Sequence, residues 1–204
     1  LVTCYTEEFG KLTAVAKSVL KPGSIQAMHL DVFNLVDFEL INGRAIPIIT
    51  GAQSENVYPQ LKNDLPAMAI SYFFAEVIDK LAFDYQQDPK LWDFLAVLLY
   101  DLNRPGYDPK GMLKTKQVEL IDILGYSPNL EECVFCAKPV AGSGFTAYNP
   151  DARGIVCKDC FLSGQRGIVA RGGEFLSVPV MNATFESLAE RKLASLSLLN
   201  SVLK

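Results

Sequence analysis

The sequence predicts an α+β protein of several modules, and three observations support this. Short β-prone runs joined by turn residues occupy the first sixty positions. Apolar residues then recur at helical spacing from about Asp64 onward. Two Cys-x-x-Cys pairs follow, separated by a glycine-bearing spacer. The predicted order is a small β barrel or sandwich at 1–60, a helical bundle at 61–130, a four-cysteine module at 131–166 and a C-terminal segment at 167–204 that returns to the helices.

The β module is predicted from strand-forming runs bounded by turn residues. Glu7-Glu8-Phe9-Gly10 and Asn42-Gly43 are turn sequences that end in glycine. Strands are predicted at Leu1–Thr6, Leu12–Ala16, His29–Ile41 and Ala45–Ala52. The third run is long enough to be a bent strand.

The helical region carries two clear start signals. Asp88-Pro89 and Asp108-Pro109 each place a capping aspartate before a proline in the first turn. Gly125 is expected to end the last helix of the bundle. A further helix is predicted within Asn182–Lys204, where leucines recur on one face.

Composition excludes some classes of protein. Half of the residues are apolar, the net charge is −4 and the isoelectric point is near 5.1, which argues against a strongly basic nucleic-acid binder. The charge is uneven, since 61–132 holds 7 basic and 12 acidic residues while 133–204 holds 8 and 5. The richest apolar run, Leu91–Leu102, is interrupted by two aspartates, so a buried helix is expected rather than a membrane span.

The cysteines give the strongest site prediction. Cys133, Cys136, Cys157 and Cys160 form two Cys-x-x-Cys pairs, and each pair can offer two thiolates from one tight turn. Four thiolates complete a tetrahedral zinc site and leave no position for water, so a structural Zn²⁺ is predicted. Redox-active pairs and unligated buried thiols are the alternatives. Reduced, metal-bound cysteines indicate a cytoplasmic protein, with Cys4 as an inert, buried thiol.

Residues for catalysis are few. His29 is the only histidine, and the sequence has neither a Walker phosphate loop nor a GxGxxG motif. A nucleic-acid interface is the remaining candidate, with aromatic side chains of Tyr5 and Phe9 for stacking. The candidate cations are Lys11, Lys17, Lys21 and Arg44 in the β module, and Arg153, Lys158 and Arg166 beside the cysteines. The alternative is that the lysines are scattered on the surface and the aromatic rings lie in the core.

Several segments resemble the RecO family of bacterial recombination mediators and DNA repair proteins. Tyr5–Lys17 is similar to the segment of the family's first domain that leads into a basic loop. Leu120–Leu130, followed by Cys133-Val134-Phe135-Cys136, resembles the passage from the last bundle helix into the zinc knuckle. Phe145, Asn149-Pro150 and 154–157 are similar to the hairpin before the second cysteine pair. The family's first strand has no counterpart here, and the 18–23 loop has fewer basic residues than is usual.

The resemblance implies an OB-fold first domain and a non-enzymatic, cytoplasmic, nucleoid-associated protein. It further implies binding of single- and double-stranded DNA, annealing of complementary strands, and cooperation with RecR and with the tail of the single-strand-binding protein so that RecA can load. For that tail we expect an apolar pocket in the bundle, near Phe73, Phe74, Trp92 and Phe94. The alternative is that these aromatic side chains simply fill the core. No membrane partner is expected.

Two other interpretations remain open. NAD-dependent DNA ligases also join an OB fold to a four-cysteine module, so a ligase fragment is the alternative function. Its catalytic Lys-x-Asp-Gly motif does not occur in this sequence. The second interpretation is a simple zinc-ribbon interaction module, which leaves the first 130 residues unexplained.

Overall fold

The computed structural model describes residues 1–17, 24–140, 147–169 and 176–203, and within these ranges the side chain of Ile25 is not described. The chain divides into two compact units, Leu1–Tyr107 and Asp108–Lys204. Both contain helices and strands, which confirms the α+β class. The four predicted module boundaries stay predictions. Nowhere in the described ranges does a helix combine the length and apolar character needed to cross a bilayer.

The first unit begins with a four-stranded sheet. Its strands are β1 (Val2–Thr6), β2 (Gly10–Ala16), β3 (Leu35–Ile41) and β4 (Ile48–Asn56), in the order β1-β2-β4-β3. The pairs β1–β2 and β3–β4 are antiparallel, whereas β2 and β4 are parallel and pair, among the described residues, at Val15–Ile48 and Ala16–Ile49. Leu12, Ala14 and Ile49 form the buried centre of one face.

The sheet is open, so the small barrel predicted for residues 1–60 is not closed in the part of the chain that is described. Closure requires the two edge strands to pair, and β1 and β3 do not pair with each other. They flank a cavity of about 500 Å³ instead, which residues 71–79 and 92–99 also line.

The predicted strand His29–Ile41 is wrong in its first part. Ile25–His29 forms a short helix, α1, and β3 begins only at Leu35. The Asn34 side chain donates to the carbonyls of Met28 and His29 and so ends the helix. Phe33 has φ of 61°, a left-handed conformation that a regular strand does not accommodate. His29 Nδ1 accepts a hydrogen bond from the Ser54 N–H, so the histidine is satisfied structurally.

Three helices complete the first unit: α2 (Pro59–Asn63), α3 (Leu65–Leu81) and α4 (Pro89–Leu102). Asp88 caps α4 as predicted, since its side chain accepts from the N–H groups of Lys90 and Leu91. Phe73, Phe74 and Phe94 fill the core between α3 and α4, with edge-to-face ring contacts at 5.1 and 5.5 Å.

The second unit begins with α5 (Pro109–Ile123), which Asp108 caps through the N–H groups of Lys110 and Gly111. Gly125 follows its end with φ of 75°. The remaining elements are β5 (Ala147–Asn149), β6 (Gly154–Val156), α6 (Lys158–Leu162), β7 (Ile168–Val169), α7 (Val178–Leu188) and α8 (Ser195–Val202). The three strands form a small antiparallel sheet in the order β6-β5-β7.

The predicted C-terminal helix is two helices. Glu190 takes φ of 53° just after α7, and the Glu186 carboxylate accepts from the Leu193 N–H across the break. The α7 helix packs on α5, where the buried Gln117 amide donates to Asn182 Oδ1 at 2.6 Å. The C-terminal segment therefore packs against α5 within the second unit.

Candidate functional site

The four predicted cysteines converge in the second unit. The sulfur atoms of Cys133, Cys136, Cys157 and Cys160 all lie within 4.8 Å of one another. We call the two Cys-x-x-Cys turns, 133–136 and 157–160, the first and second knuckle. Cys136 Sγ and Cys157 Sγ are 3.7 Å apart, so the cluster joins the two knuckles directly. All four are free thiols rather than disulfides.

Backbone hydrogen bonds hold the first knuckle against the hairpin formed by β5 and β6. The N–H of Cys133 donates to the Lys138 carbonyl at 2.9 Å, and the N–H of Ala137 donates to the Cys133 carbonyl at 2.8 Å. Ala137 adopts φ of 56°, which turns the chain sharply after the second cysteine. Val134 N–H donates to the Ile155 carbonyl at 2.9 Å, which fixes the knuckle beside β6.

Gly154 allows this close approach. A Cβ at this position would collide with Val134 Cγ1 and would lie 2.9 Å from the Asn129 carbonyl oxygen. Any larger residue would therefore push the first knuckle away from β6, which leads directly to Cys157. Val140, Ala147, Ile155 and Val156 pack around Cys133 to give the module its small buried core.

The surroundings of the sulfurs differ between the two knuckles. Burial raises the pKa of the Cys133 thiol, but N–H groups of Cys157, Phe135 and Cys136 donate to its sulfur and bring the pKa down to about 6. Burial and hydrogen bonds with the neighbouring cysteines raise the pKa of Cys160 to about 12. Since the thiolate is the metal-binding form, the N–H donors around Cys133 favour coordination.

This arrangement fits a tetrahedral metal ion. Sulfur atoms about 2.3 Å from a central zinc stand about 3.8 Å apart, close to the Cys136–Cys157 distance of 3.7 Å. Four sulfurs fill the tetrahedron and leave no position for a substrate or water. The cluster could therefore bind a metal ion, is compatible with zinc, and would act as a cross-link rather than as a catalyst.

Three of the predicted cations lie on this module. Arg153 is exposed at the turn between β5 and β6, and its guanidinium stacks over the Tyr126 ring at 5.1 Å. The Asn149 side chain accepts from the Ala152 N–H and donates to the Arg166 carbonyl, both at 2.7 Å. It thereby fastens the Arg153 turn to the segment that carries Arg166. Lys158 is exposed at the start of α6, next to Cys157.

The cations predicted in the first unit are not equivalent. Lys11 is largely buried, pairs with Asp84 at 3.2 Å and donates to the Asp79 carbonyl at 2.7 Å. Lys17 is exposed after β2, and Arg44 is exposed in the turn before β4. Lys21 lies outside the described residues. Lys11 thus has acidic and carbonyl partners, while Lys17 and Arg44 have accessible side chains.

Two features of the site were missed by sequence reasoning. The sequence indicates only that Asn149 belongs to a hairpin, whereas its buried amide ties the Arg153 turn to the segment that carries Arg166. The pairing of Lys11 with Asp84 joins residues that are far apart in the sequence, and no local pattern signals it. Burial raises the pKa of the half-buried Cys4 thiol to about 11, and its inertness stays a prediction.

The aromatic residues expected to offer a pocket for an acidic tail are mostly core residues. Phe73 and Phe74 are fully buried and Phe94 is 2% exposed, so that placement of the pocket is wrong. Only Trp92 is half-buried and lines open cavities.

Comparison with known families defines the class of protein. The model described as "Recombination protein O N terminal" matches residues 1–58, and the one described as "Recombination protein O C terminal" matches residues 62–200. Both units are therefore covered by one family of recombination proteins, and a ligase fragment is not favoured.

Curated relatives agree with this class. "DNA repair protein RecO" of Desulfitobacterium hafniense is 30% identical over 171 residues, which is 84% of this chain and 62% of the relative. The RecO proteins of Symbiobacterium thermophilum and Moorella thermoacetica are each 28% identical, over 81% and 85% of this chain and 66% and 64% of their own lengths. The chain belongs to the RecO family, and it spans somewhat less than two thirds of the relatives' length.

Proposed function

We propose that this protein acts in DNA repair and recombination as a mediator without enzymatic activity. It binds single- and double-stranded DNA, anneals complementary strands and helps RecA load onto strands covered by single-strand-binding protein. The observation that carries the proposal is the match of both halves of the chain to one recombination family. The first unit would correspond to the OB-fold domain, with its sheet open in this chain.

The metal in this proposal is a structural Zn²⁺ bound by Cys133, Cys136, Cys157 and Cys160. It supplies a cross-link between the two knuckles and no chemistry on DNA. The chain's own residues then present the exposed cations of the module, since Cys157 leads directly into Lys158 and Gly154 follows Arg153.

The DNA-binding surface is proposed to lie mainly on the zinc module, at Arg153, Lys158 and Arg166. Asp108–Lys204 contains 11 basic and 10 acidic residues, whereas Leu1–Tyr107 contains 8 and 13. The net charge is therefore +1 in the second unit and −5 in the first, so the first unit repels a polyanion and the second does not. Lys17, Lys21 and Arg44 would add contacts from the first unit, while Lys11 is already paired with Asp84.

The partners in this proposal are RecR, the acidic tail of the single-strand-binding protein and, indirectly, RecA. The protein would work in the cytoplasm at the nucleoid. Since Phe73, Phe74 and Phe94 are buried, the receptor for the tail would be built from other apolar residues near exposed cations.

The test is a charge reversal measured against a matched control. The double variant Arg153→Glu, Arg166→Glu should bind a labelled single strand at least about tenfold more weakly, and the salt slope should fall by about 0.7 for each phosphate that is no longer neutralised. The variant Arg191→Glu, Lys192→Glu makes the same charge change on exposed residues between α7 and α8 and should weaken binding by no more than about threefold. Equal weakening in both variants would reject the zinc-module surface.

A second double variant tests the first unit. Lys17→Glu, Lys21→Glu should also weaken binding about tenfold if the sheet contributes a DNA groove. Unchanged affinity in this variant, with weaker binding in the Arg153 and Arg166 variant, would assign binding to the zinc module alone.

A further inference from the structure

Tyr126 is an exposed aromatic residue directly beside one of the cations proposed for DNA binding. It follows the end of α5, and the guanidinium carbon of Arg153 lies over its ring, 5.1 Å from the ring centre. Tyr126 is 36% exposed, and Arg153 is exposed as well. In the ranges that the structure describes, no carboxylate forms an ion pair with this guanidinium. We call these two residues the Tyr126–Arg153 pair.

Backbone hydrogen bonds hold the two members of the pair next to each other. The N–H of Tyr126 donates to the Ile121 carbonyl at 2.9 Å, which ties the tyrosine to the end of α5. The N–H of Asn129 donates to the Arg153 carbonyl at 3.0 Å, and the N–H of Ile155 donates to the Asn129 carbonyl at 3.1 Å. The segment that carries the tyrosine is therefore joined to the β5–β6 turn that carries the arginine.

The β5–β6 turn holds Arg153 in an unusual conformation. Its φ of 51° lies in the left-handed region, which is unfavourable for a residue other than glycine. Asn149 Oδ1 accepts a hydrogen bond from the Ala152 N–H at 2.7 Å. Asp151 Oδ1 accepts one from Ser187 Oγ on α7, also at 2.7 Å, so two elements hold the turn. Strain that surrounding contacts enforce is common at binding sites, and groups fixed in advance lose little conformational entropy when a ligand binds.

A guanidinium beside an exposed aromatic ring matches one nucleotide of a single strand. The guanidinium donates paired N–H groups to phosphate oxygens, and the ring stacks on a base. The net charge of the second unit is +1, so it does not oppose an anionic ligand. The bases of a duplex are already stacked on one another, so a duplex can use the cation but not the ring.

We propose that the Tyr126–Arg153 pair is a base-stacking site that gives the zinc module a preference for single-stranded over double-stranded DNA. Arg153 binds a backbone phosphate, and the exposed part of the Tyr126 ring stacks on the neighbouring base. This inference rests on the proposed DNA-binding role. It adds to that role a residue, Tyr126, which recognises a base rather than a phosphate.

The test compares a labelled oligothymidine of about 15 nucleotides with an abasic strand of the same length, which keeps the phosphates and lacks the bases. Both are titrated into the full, zinc-loaded chain and followed by anisotropy. The wild-type protein should bind oligothymidine about tenfold more tightly than the abasic strand, because one stacked base contributes a factor of this order. Tyr126→Ala should weaken binding of oligothymidine about tenfold, and binding of the abasic strand and of a duplex by less than about threefold.

Two matched variants serve as controls. Tyr126→Phe keeps the ring and should bind oligothymidine within about twofold of the wild-type affinity. Tyr100→Ala removes a tyrosine that is 59% exposed on α4 of the other unit, and it should leave every affinity within about twofold. Thermal melts check that each variant is folded, and the wild-type comparison of the two strands requires no variant at all.

The outcomes separate this site from the DNA-binding role itself. Equal affinity of the wild-type protein for oligothymidine and for the abasic strand would overturn the stacking site and leave DNA binding intact. Equal weakening of both strands by Tyr126→Ala would also overturn it, because the tyrosine would then only position Arg153. A preference for oligothymidine that survives in Tyr126→Ala, or is lost in Tyr126→Phe, would likewise reject stacking by this ring. Failure of the wild-type protein to bind any of the three DNAs would contradict the proposed function, and this inference with it.

Discussion

Replacement of Cys157 by serine is the sharpest perturbation of the metal centre. It removes one of four sulfurs that lie within 4.8 Å of one another and breaks the 3.7 Å approach to Cys136 that joins the two knuckles. Apart from hydrogen bonds, the module is held by a small apolar core. Its buried aliphatic side chains are chiefly Val140, Ile155 and Val156, which at about 2 kcal/mol each give roughly 6 kcal/mol. A structural zinc contributes apparent binding free energy of about 10 kcal/mol or more.

Since the metal outweighs the core of the module, we expect Cys157→Ser to bind less than about a tenth of the zinc and to lose protection of the amides in β5 and β6. The assay is elemental analysis of protein made under reducing, zinc-replete conditions, followed by hydrogen exchange. Cys4→Ser is the control and should retain about one zinc per chain, because Cys4 lies in β1 of the other unit. Wild-type protein without metal, or an unchanged exchange pattern in Cys157→Ser, would refute this reasoning.

Three further substitutions test the packing around the site. Asn149→Ala removes two 2.7 Å hydrogen bonds from a buried side chain. The free energy of unfolding of the second unit, measured with denaturant, should therefore fall by roughly 2–3 kcal/mol. A decrease below about 0.5 kcal/mol would contradict this. Phe74→Ala should destabilise the first unit by about 3–5 kcal/mol, whereas Phe83→Ala, at a 74% exposed ring, should stay within about 0.5 kcal/mol. Asp108→Ala removes the α5 cap and should lower the free energy of unfolding by about 1 kcal/mol. Asp108→Asn keeps a capping oxygen and should lower it by only about 0.3 kcal/mol. Thermal melts measure both changes.

The helix starts and the cysteine site were predictable because their determinants are local. Asp88 and Asp108 each accept from N–H groups two and three residues ahead, so a capping aspartate before proline signals its own structure. The cysteine cluster is similar, because each Cys-x-x-Cys turn presents its sulfurs together. Only the return of the second pair depends on the fold, through Gly154 and the β5–β6 hairpin.

The errors arose where side-chain hydrogen bonds and ion pairs, which hydrophobic periodicity does not indicate, decide the structure. The run from His29 to Ile41 alternates like a strand, yet His29 is the last residue of a helix. Its ring accepts a hydrogen bond from the Ser54 N–H on β4, and its carbonyl accepts one from the Asn34 side chain. The C-terminal helix breaks where the Glu186 carboxylate accepts a hydrogen bond from the Leu193 N–H. Likewise, the sequence predicts that Lys11 is free to contact DNA, but in the structure its ammonium group pairs with Asp84. None of these interactions has a signature in the local sequence.

Annealing of complementary oligonucleotides by the zinc-loaded chain tests the proposed mediator role most directly. At low salt the chain should accelerate annealing several-fold over the spontaneous rate, and the acceleration should fall steeply as salt rises, because it depends on phosphate contacts. The Arg153→Glu, Arg166→Glu variant should lose most of it, while the Arg191→Glu, Lys192→Glu variant should keep it. A folded, zinc-loaded chain that leaves annealing at the spontaneous rate would contradict the proposed function.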